Sequence, residues 1–233
     1  RACRRRRSVA RVAPAVATLL RRRRLSQFQR RLLRWYAVSK RDLPWRKTRD
    51  PYAILVSEIM LQQTQVDRVI PKYHEFLKKY PTVQALAKAN PHQVRKTWYP
   101  LGYNIRPLRL HAIARESVTR YNGQIPDVSE TLMAMDGIGR YTAGAVLSFA
   151  FRKDAPILDT NVRRVLQRVF GVRGNPMRGP TNRRLWALAE EVIPPGKGYL
   201  FNQALMDFGA TVCTARKPAC PSCWMRTICA AYP

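Results

Sequence analysis

Four cysteines lie close together near the end of the chain, and their thiolates could bind a metal centre. They are Cys213, Cys220, Cys223 and Cys229, with six, two and five residues between successive members. Such sets hold either zinc or an iron–sulfur cluster. Zinc held by four cysteines usually takes two C-x2-4-C pairs, whereas this spacing contains one such pair. We therefore predict a [4Fe-4S] cluster, with zinc and unpaired thiols as the alternatives.

Residues 132–159 combine a glycine turn with a carboxylate downstream of it. Gly137 and Gly139 stand one residue apart between two helical segments. Glycines so placed suit a hairpin that needs φ > 0 and close approach by a large partner. The turn opens into a helix, whose free N–H groups and dipole suit a phosphate. The apolar run after this helix ends at Asp159. We therefore interpret the stretch as a clamp on the DNA backbone that places a carboxylate beside the sugar to be attacked.

The net charge indicates a polyanionic partner. The 233 residues include 43 Lys and Arg against 14 Asp and Glu, which gives a formal charge of +29. Residues 1–24 hold ten arginines and no acid, so the remainder still carries 29 − 10 = +19. Nucleic acid fits this charge best, and an anionic membrane surface is the alternative. No run of 18 apolar residues exists, so we predict no membrane-spanning helix. We expect the protein to be a monomer that acts on DNA.

Residues 1–24 are predicted to be a basic, disordered tail. An arginine-rich stretch without acids is also typical of some organelle-targeting segments. A targeting segment and a wrongly assigned start therefore stay open as alternatives. We expect a cytoplasmic, nucleoid-associated protein of prokaryotic type. In such a compartment the cysteines would not form structural disulfides.

Hydrophobic periodicity predicts an all-α fold built from many short helices. We expect helices over residues 27–38, 52–69, 73–79, 83–89, 91–98, 105–121, 141–151, 160–170, 181–193 and 200–211. Pro71 is predicted to end the second of these. The helices are expected to form two lobes with a cleft between them. One lobe would contain residues 25–128 with 195–233, including the cluster, and a six-helix-type lobe would contain residues 129–194 with the hairpin.

These motifs together resemble the helix-hairpin-helix DNA glycosylase (HhH-GPD) superfamily with a C-terminal iron–sulfur cluster. The resemblance is carried by DGIGRYTAGAV at residues 136–146, LDTNVRRV at residues 158–165 and the 6-2-5 cysteine spacing. It covers about residues 41–229. It implies two helical lobes, with DNA bound across the cleft and a flipped base held between them. Gly137, Gly139 and Arg140 would then bind the DNA backbone.

Tyr141 separates the chain from one branch of this superfamily. Endonuclease III-like members carry a lysine at this position, which attacks the sugar and forms a Schiff base. The resemblance therefore implies a monofunctional enzyme, which removes a base and leaves an abasic site.

The segment SEIMLQQTQV, residues 57–66, is similar to the MutY adenine glycosylase signature, and this similarity implies that Glu58 is the general acid. Protonating a ring nitrogen makes adenine a good leaving group, and apolar neighbours would raise the pKa of Glu58. Asp159 would then act on the sugar as nucleophile or electrostatic stabiliser. Asn161 would place water or Asp159.

The base pocket is assigned by the same resemblance. The loop RDLPWRKTRDP, which precedes the helix that carries Glu58, also resembles the family. Gln62 and Gln63 would enter the duplex and fill the gap left by the flipped base. The predicted pocket residues are Arg41, Trp45, Arg46, Leu61 and Gln203.

Two features of the sequence favour adenine as the base, and three do not. The LQQTQV pattern and Gln203 favour adenine opposite guanine or 8-oxoguanine in mismatched double-stranded DNA. The chain length and residues 201–209 resemble the thymine mismatch glycosylases, and the further C-terminal domain usual in MutY-type enzymes does not follow Pro233. A thymine or uracil mismatch glycosylase is therefore the alternative. A non-catalytic iron–sulfur DNA-binding protein is a third.

Overall fold

The structure, a computed structural model, describes the backbone of residues 14–233 and the side chains of residues 19–233. Within this range the chain forms helices and no strands, which confirms the predicted all-α class. A 3₁₀ turn covers Pro44–Arg46. The helices are α1 Pro14–Ser39, α2 Pro51–Leu61, α3 Val66–Lys79, α4 Val83–Lys88, α5 Pro91–Trp98, α6 Ile105–Arg120, α7 Ser129–Ala134, α8 Arg140–Phe149, α9 Thr160–Phe170, α10 Gly179–Glu191 and α11 Gly198–Thr211.

Helix α1 begins earlier than predicted. Residues 14–24 were expected to belong to a disordered tail, but they are helical and continuous with the rest of α1. Leucine and arginine have high helix propensity. Arg21 forms an ion pair with Glu191 of α10, which adds a contact to this part of the helix. The remainder of the predicted tail, residues 1–13, lies outside the described residues.

The predicted helix over residues 52–69 is wrong, because α2 and α3 are separate helices. Helix α2 ends at Leu61, and Gln63 in the connecting loop has a left-handed φ of +55°. Pro71, predicted to end a helix, lies inside α3. Its missing N–H removes only one intrahelical hydrogen bond near the start of that helix. The loop places Gln62 and Gln63 beside the functional cleft.

Two hydrophobic cores organise the helices, as expected for a two-lobed fold. The first core is formed by α2 to α8, with Phe76 and Trp98 among its fully buried side chains. The second is formed by α1, α9, α10, α11 and the C-terminal segment, with Phe28, Phe201 and Phe208 in it. This division differs from the predicted boundaries: the hairpin helices pack with α2 to α6, whereas α9 and α10 pack with α1 and α11. Residues 129–194 are therefore split between the cores.

Helix α8 joins the two cores because it is buried on all sides. A Cβ atom at Gly144 would lie 2.2 Å from the carbonyl oxygen of Pro156, so the segment before α9 packs directly against α8. This close approach sets the start of α9 beside the first turn of α8. None of the helices in residues 14–233 has the length and apolar composition needed to cross a bilayer.

Candidate active site and cysteine cavity

A cleft of about 570 Å³ lies where α2, α8, α9 and α11 meet. Its lining brings together residues that are far apart in the chain. All of the predicted catalytic and pocket residues, with the two predicted glutamines, line it: Arg41, Trp45, Arg46, Glu58, Leu61, Gln62, Gln63, Tyr141, Asp159, Asn161 and Gln203. The hairpin residues and the four cysteines lie elsewhere.

Glu58 is a buried carboxyl group at the bottom of this cleft. Its residue is 3% exposed, because α2 is buried along nearly its whole length. The Tyr141 hydroxyl donates a hydrogen bond of 2.8 Å to Glu58 Oε2. Burial raises the pKa of Glu58 to about 7 and the charge of Asp159 adds to this rise, whereas the Tyr141 hydrogen bond and Arg46 oppose it. A substantial fraction of Glu58 therefore keeps its proton near neutral pH and can donate it there.

Asp159 provides a second carboxyl group with a different environment. It is the N-cap of α9 and accepts hydrogen bonds from the Val162 backbone N–H at 2.6 Å and from Asn161 Nδ2 at 3.1 Å. Burial raises the pKa of Asp159, and these hydrogen bonds oppose the rise. The donors favour the ionised form of Asp159, whereas the apolar setting of Glu58 favours its protonated form. Such a difference suits one acid and one charged stabiliser.

Asn161 connects Asp159 to the chain segment that carries the first cysteine. Its Oδ1 accepts a hydrogen bond of 2.7 Å from Arg164 NH2. The same arginine donates to the carbonyl oxygen of Gly209 at 2.7 Å and to that of Cys213 at 2.8 Å. The orientation of Asp159 is thus fixed by a continuous set of hydrogen bonds that reaches the cysteine segment.

Asp207 is a residue of this region to which the sequence interpretation assigned no role. It is the one acid in α11, and its side chain is fully buried against Arg41 and Arg46. Trp45, between these arginines in the chain, is also buried and makes an edge-to-face contact with Tyr73 at 5.5 Å. An acid inside an apolar helix was the available signal, because a buried carboxylate needs a charged partner.

Arg106 is a second residue that the sequence interpretation missed, and it holds two loops together. From α6 its guanidinium donates to the carbonyl oxygens at the end of α2 and to those of the 101–102 turn. It also donates to Gln62 O and Thr64 Oγ1 in the cleft loop. Gln63 and Tyr103, one on each loop, are exposed and have left-handed φ values of +55° and +49°. One buried cation therefore fixes the loop that carries the predicted duplex-entering glutamines.

Replacing Arg106 with methionine is expected to lower the free energy of unfolding by about 3 kcal/mol or more, because several buried carbonyl groups lose their donor. Urea unfolding monitored by circular dichroism measures the change. Arg115→Met, at an exposed position of the same helix, is the matched control and should change stability by less than about 0.5 kcal/mol. Equal effects of the two substitutions would contradict the role given to Arg106.

The predicted hairpin is formed by α7, residues 135–139 and α8. Gly137 has a left-handed φ of +90°, and a Cβ atom there would lie 2.9 Å from the Arg109 side chain. Gly139 has an ordinary φ of −88° and precedes α8 as its N-cap, with open space where a Cβ would be. Arg140, predicted to contact DNA, places its guanidinium 4.1 Å from the ring centroid of Trp186 and so connects the hairpin to α10.

The four C-terminal cysteines surround one cavity of about 180 Å³. Arg168 lies at its edge and donates to Cys213 Sγ at 3.5 Å and to the Thr214 carbonyl at 2.7 Å. Among the residues with described side chains, no three His, Cys, Asp or Glu groups come close enough together to bind a single ion. The four thiols line one cavity, and thiolates are ligands of both zinc and iron–sulfur clusters.

Comparisons with known proteins agree with this architecture. A family model described as HhH-GPD superfamily base excision DNA repair protein matches residues 56–191. The chain is 43% identical to the adenine DNA glycosylase of Rattus norvegicus over 217 residues, which are 89% of this chain and 42% of that protein. It is 39% identical to the thymine-DNA glycosylase of Aeropyrum pernix over 213 residues, which are 90% of this chain and 96% of that protein.

Solved structures show the same fold. A thermostable thymine-DNA glycosylase superposes with a TM-score of 0.85 at 35% identity, covering 91% of this chain and 97% of the other. A non-covalent endonuclease III–DNA complex superposes with a TM-score of 0.78 at 22% identity. The chain spans less than half the length of the mammalian adenine relatives and nearly the whole length of the thymine relative. The similar proteins thus divide between two base specificities.

Proposed function

Since the chain belongs to the HhH-GPD superfamily of base excision DNA repair proteins, we propose that it is a monofunctional glycosylase that removes adenine opposite guanine or 8-oxoguanine. The observation that carries this proposal is the buried Glu58 carboxyl, which accepts a hydrogen bond from the Tyr141 hydroxyl and lies in the same cleft as Asp159. The charge of +29 supports DNA as the partner, because phosphate contacts dominate the affinity of such proteins.

The proposed reaction begins when a nucleotide leaves the stack and its base enters the cleft. The protonated Glu58 carboxyl donates its proton to a ring nitrogen of adenine. The N-glycosidic bond then breaks, and its electron pair stays with the neutral base. The Asp159 carboxylate stabilises the positive charge that develops on the sugar. Water then adds at C1′ and gives a proton to the Glu58 carboxylate, which restores the acid. The products are free adenine and an abasic site.

Tyr141 supports the monofunctional assignment. A lyase of this superfamily needs an amine beside the sugar, whereas the residue here carries a hydroxyl that donates to Glu58. Burial and the neighbouring carboxylates raise the pKa of Tyr141 well above its usual value, so the hydroxyl stays protonated as a donor. The proposed enzyme therefore leaves the DNA strand uncut.

The choice of adenine is supported by the polar groups of the cleft. The amide of Gln203 and the carboxyl of Glu58 together provide donors and acceptors for a base edge that itself has both. Trp45 and Leu61 supply apolar surface in the same lining. Removal of thymine or uracil opposite guanine is the second candidate function, because the thymine relative matches over nearly its whole length and the solved thymine glycosylase superposes closely.

Base release from four duplexes distinguishes the two candidates. The protein is incubated with A·G, A·8-oxoguanine, T·G and U·G duplexes, and abasic sites are then cleaved with alkali. We expect strand breaks at adenine in the first two, and none before alkali treatment. Breaks in T·G and U·G alone would show that the enzyme removes thymine and uracil and not adenine. Breaks before alkali treatment would contradict the monofunctional assignment.

We also propose that Cys213, Cys220, Cys223 and Cys229 hold a [4Fe-4S] cluster. The cluster would supply a fixed scaffold for the loop of residues 214–219, where Arg216 and Lys217 are exposed. Freshly purified protein is expected to be yellow-brown and to contain about four iron and four sulfide per chain. Metal analysis by mass spectrometry checks this expectation. A colourless protein with one zinc per chain would contradict it.

A further inference from the structure

Asp207 connects α11 to the segment that forms one wall of the cleft. Its side chain is 0% exposed. The Arg41 Nε donates to it at 2.6 Å, and NH1 and NH2 of Arg46 donate at 2.9 and 2.8 Å. The backbone N–H of Arg41 adds a contact of 3.1 Å. One buried carboxylate therefore holds two arginines in place.

Of the two arginines, Arg46 is the one whose charge acts on Glu58, the proposed acid. It lines the cleft with Glu58, and its side chain is 8% exposed. Its NH1 also donates to the Arg41 carbonyl at 2.9 Å, so the guanidinium has one defined orientation. Asp207 is not among the cleft-lining residues that the structure describes, so any effect on a bound base must pass through Arg46.

Several other charged and titratable groups face this arrangement. Tyr141 from α8 and Asp159 from the start of α9 face Glu58, as does Arg46. Tyr36 of α1 and Tyr199 of α11 also lie near Arg46, and burial raises the pKa of Tyr36, which keeps its hydroxyl neutral. Asp207 is therefore the carboxylate that is hydrogen-bonded to Arg46.

We propose that Asp207 is a positioning residue for the proposed base release, because it holds Arg46 in the cleft wall and balances its charge beside the Glu58 proton. The inference rests on the proposed function of Glu58 as the acid. Without Asp207, the Arg46 guanidinium would act on Glu58 without its carboxylate partner. Its field would favour the carboxylate of Glu58, and the acid would lose its proton at a lower pH.

The first test follows Glu58 directly and needs no DNA. The chain contains six glutamates, so ¹³C labelling of glutamate side-chain carboxyls gives six signals, and Glu58→Gln identifies the one of interest. We expect Asp207→Asn to shift the titration of Glu58 downward by about one pH unit. Asp154→Asn is the matched control. Asp154 accepts from the Gly196 and Gly198 N–H groups at the start of α11, so its loss disturbs that helix without changing the charge beside Arg46.

The second test uses the pH profile of single-turnover base release. In Asp207→Asn, base release is expected to decline at a pH about one unit lower than in the wild type. Asp207→Glu restores the charge, so its base release is expected to decline near the wild-type pH. If Asp207→Asn folds poorly, the Glu58 titration is measured in the Arg41→Gln/Asp207→Asn protein instead, because removing one cation with the carboxylate restores the net charge of the group and should return the titration to the wild-type pH. An unchanged Glu58 titration in Asp207→Asn would overturn the inference. Absence of base release from every duplex by the wild type would instead overturn the proposed function.

Discussion

Glu58→Gln is expected to reduce base release by a factor of roughly 10² to 10⁴, because glutamine cannot donate the proton that makes the base a leaving group. Glutamine keeps the shape of the side chain, and its carbonyl oxygen still accepts from the Tyr141 hydroxyl. DNA binding should therefore survive. Single-turnover release and an electrophoretic binding assay measure the two properties separately. In the wild type, release should decline as the pH rises through about 7, where Glu58 loses its proton.

The same substitution is expected to stabilise the protein at alkaline pH. Burial raises the pKa of Glu58 from its ordinary 4.5 to about 7, so the folded state keeps a proton that the unfolded chain has already released. Stability from this group is therefore lost as the pH rises from 4.5 to 7, and the full cost remains above 7. Glutamine carries no such cost. The free energy of unfolding of Glu58→Gln should exceed that of the wild type by at most about 3 kcal/mol at pH 8, and this difference should vanish at pH 4.

Glu130→Gln, at an exposed position of α7, is the matched control for both measurements. It makes the same chemical change outside the cleft and should alter neither release nor the pH dependence of stability. Wild-type release by Glu58→Gln would show that another group donates the proton. A stability difference that does not depend on pH would show that Glu58 is ionised in the folded protein.

The resemblance to the glycosylase superfamily predicted which residues would meet in the cleft, because its short motifs carry them. Glu58, Tyr141 and Asp159 each stand at a recognisable position: inside an apolar helix, after a glycine turn and at a helix start. Each motif folds locally, and the all-α class limits how the helices can pack. The cleft in the structure brings all three together.

The residues that the sequence did not reveal act through long-range contacts. Asp207 pairs with arginines more than 160 positions earlier, and nothing in a chain with 43 basic residues marks those two as its partners. Arg106 was missed for the same reason. The break between α2 and α3 depends on Arg106, which caps the carbonyl end of α2, so that boundary also depended on a tertiary contact. Helix α8 contributes to both cores, so the division of the chain between them also depends on contacts that the sequence does not mark.

Asp159→Asn is expected to lower base release by a factor of roughly 10² or more, because the developing positive charge on the sugar loses its nearest carboxylate. Asparagine is as good an N-cap as aspartate, so the hydrogen bond to Val162 and the stability of α9 should change by less than about 1 kcal/mol. The effect on release should therefore appear in a folded protein. Urea unfolding and single-turnover release measure both quantities on the same sample.

Asp50→Asn is the matched control, because Asp50 caps α2 through the Tyr52 N–H and makes the same exchange outside the described cleft lining. It should leave release unchanged within about twofold. Asp159→Asn carries a second, independent signature. The charge of Asp159 adds to the effect of burial in raising the pKa of Glu58, so its removal should lower the pH at which Glu58 titrates. A variant that shows this shift and still releases base at the wild-type rate would place Asp159 beside the acid but outside the chemistry of the sugar.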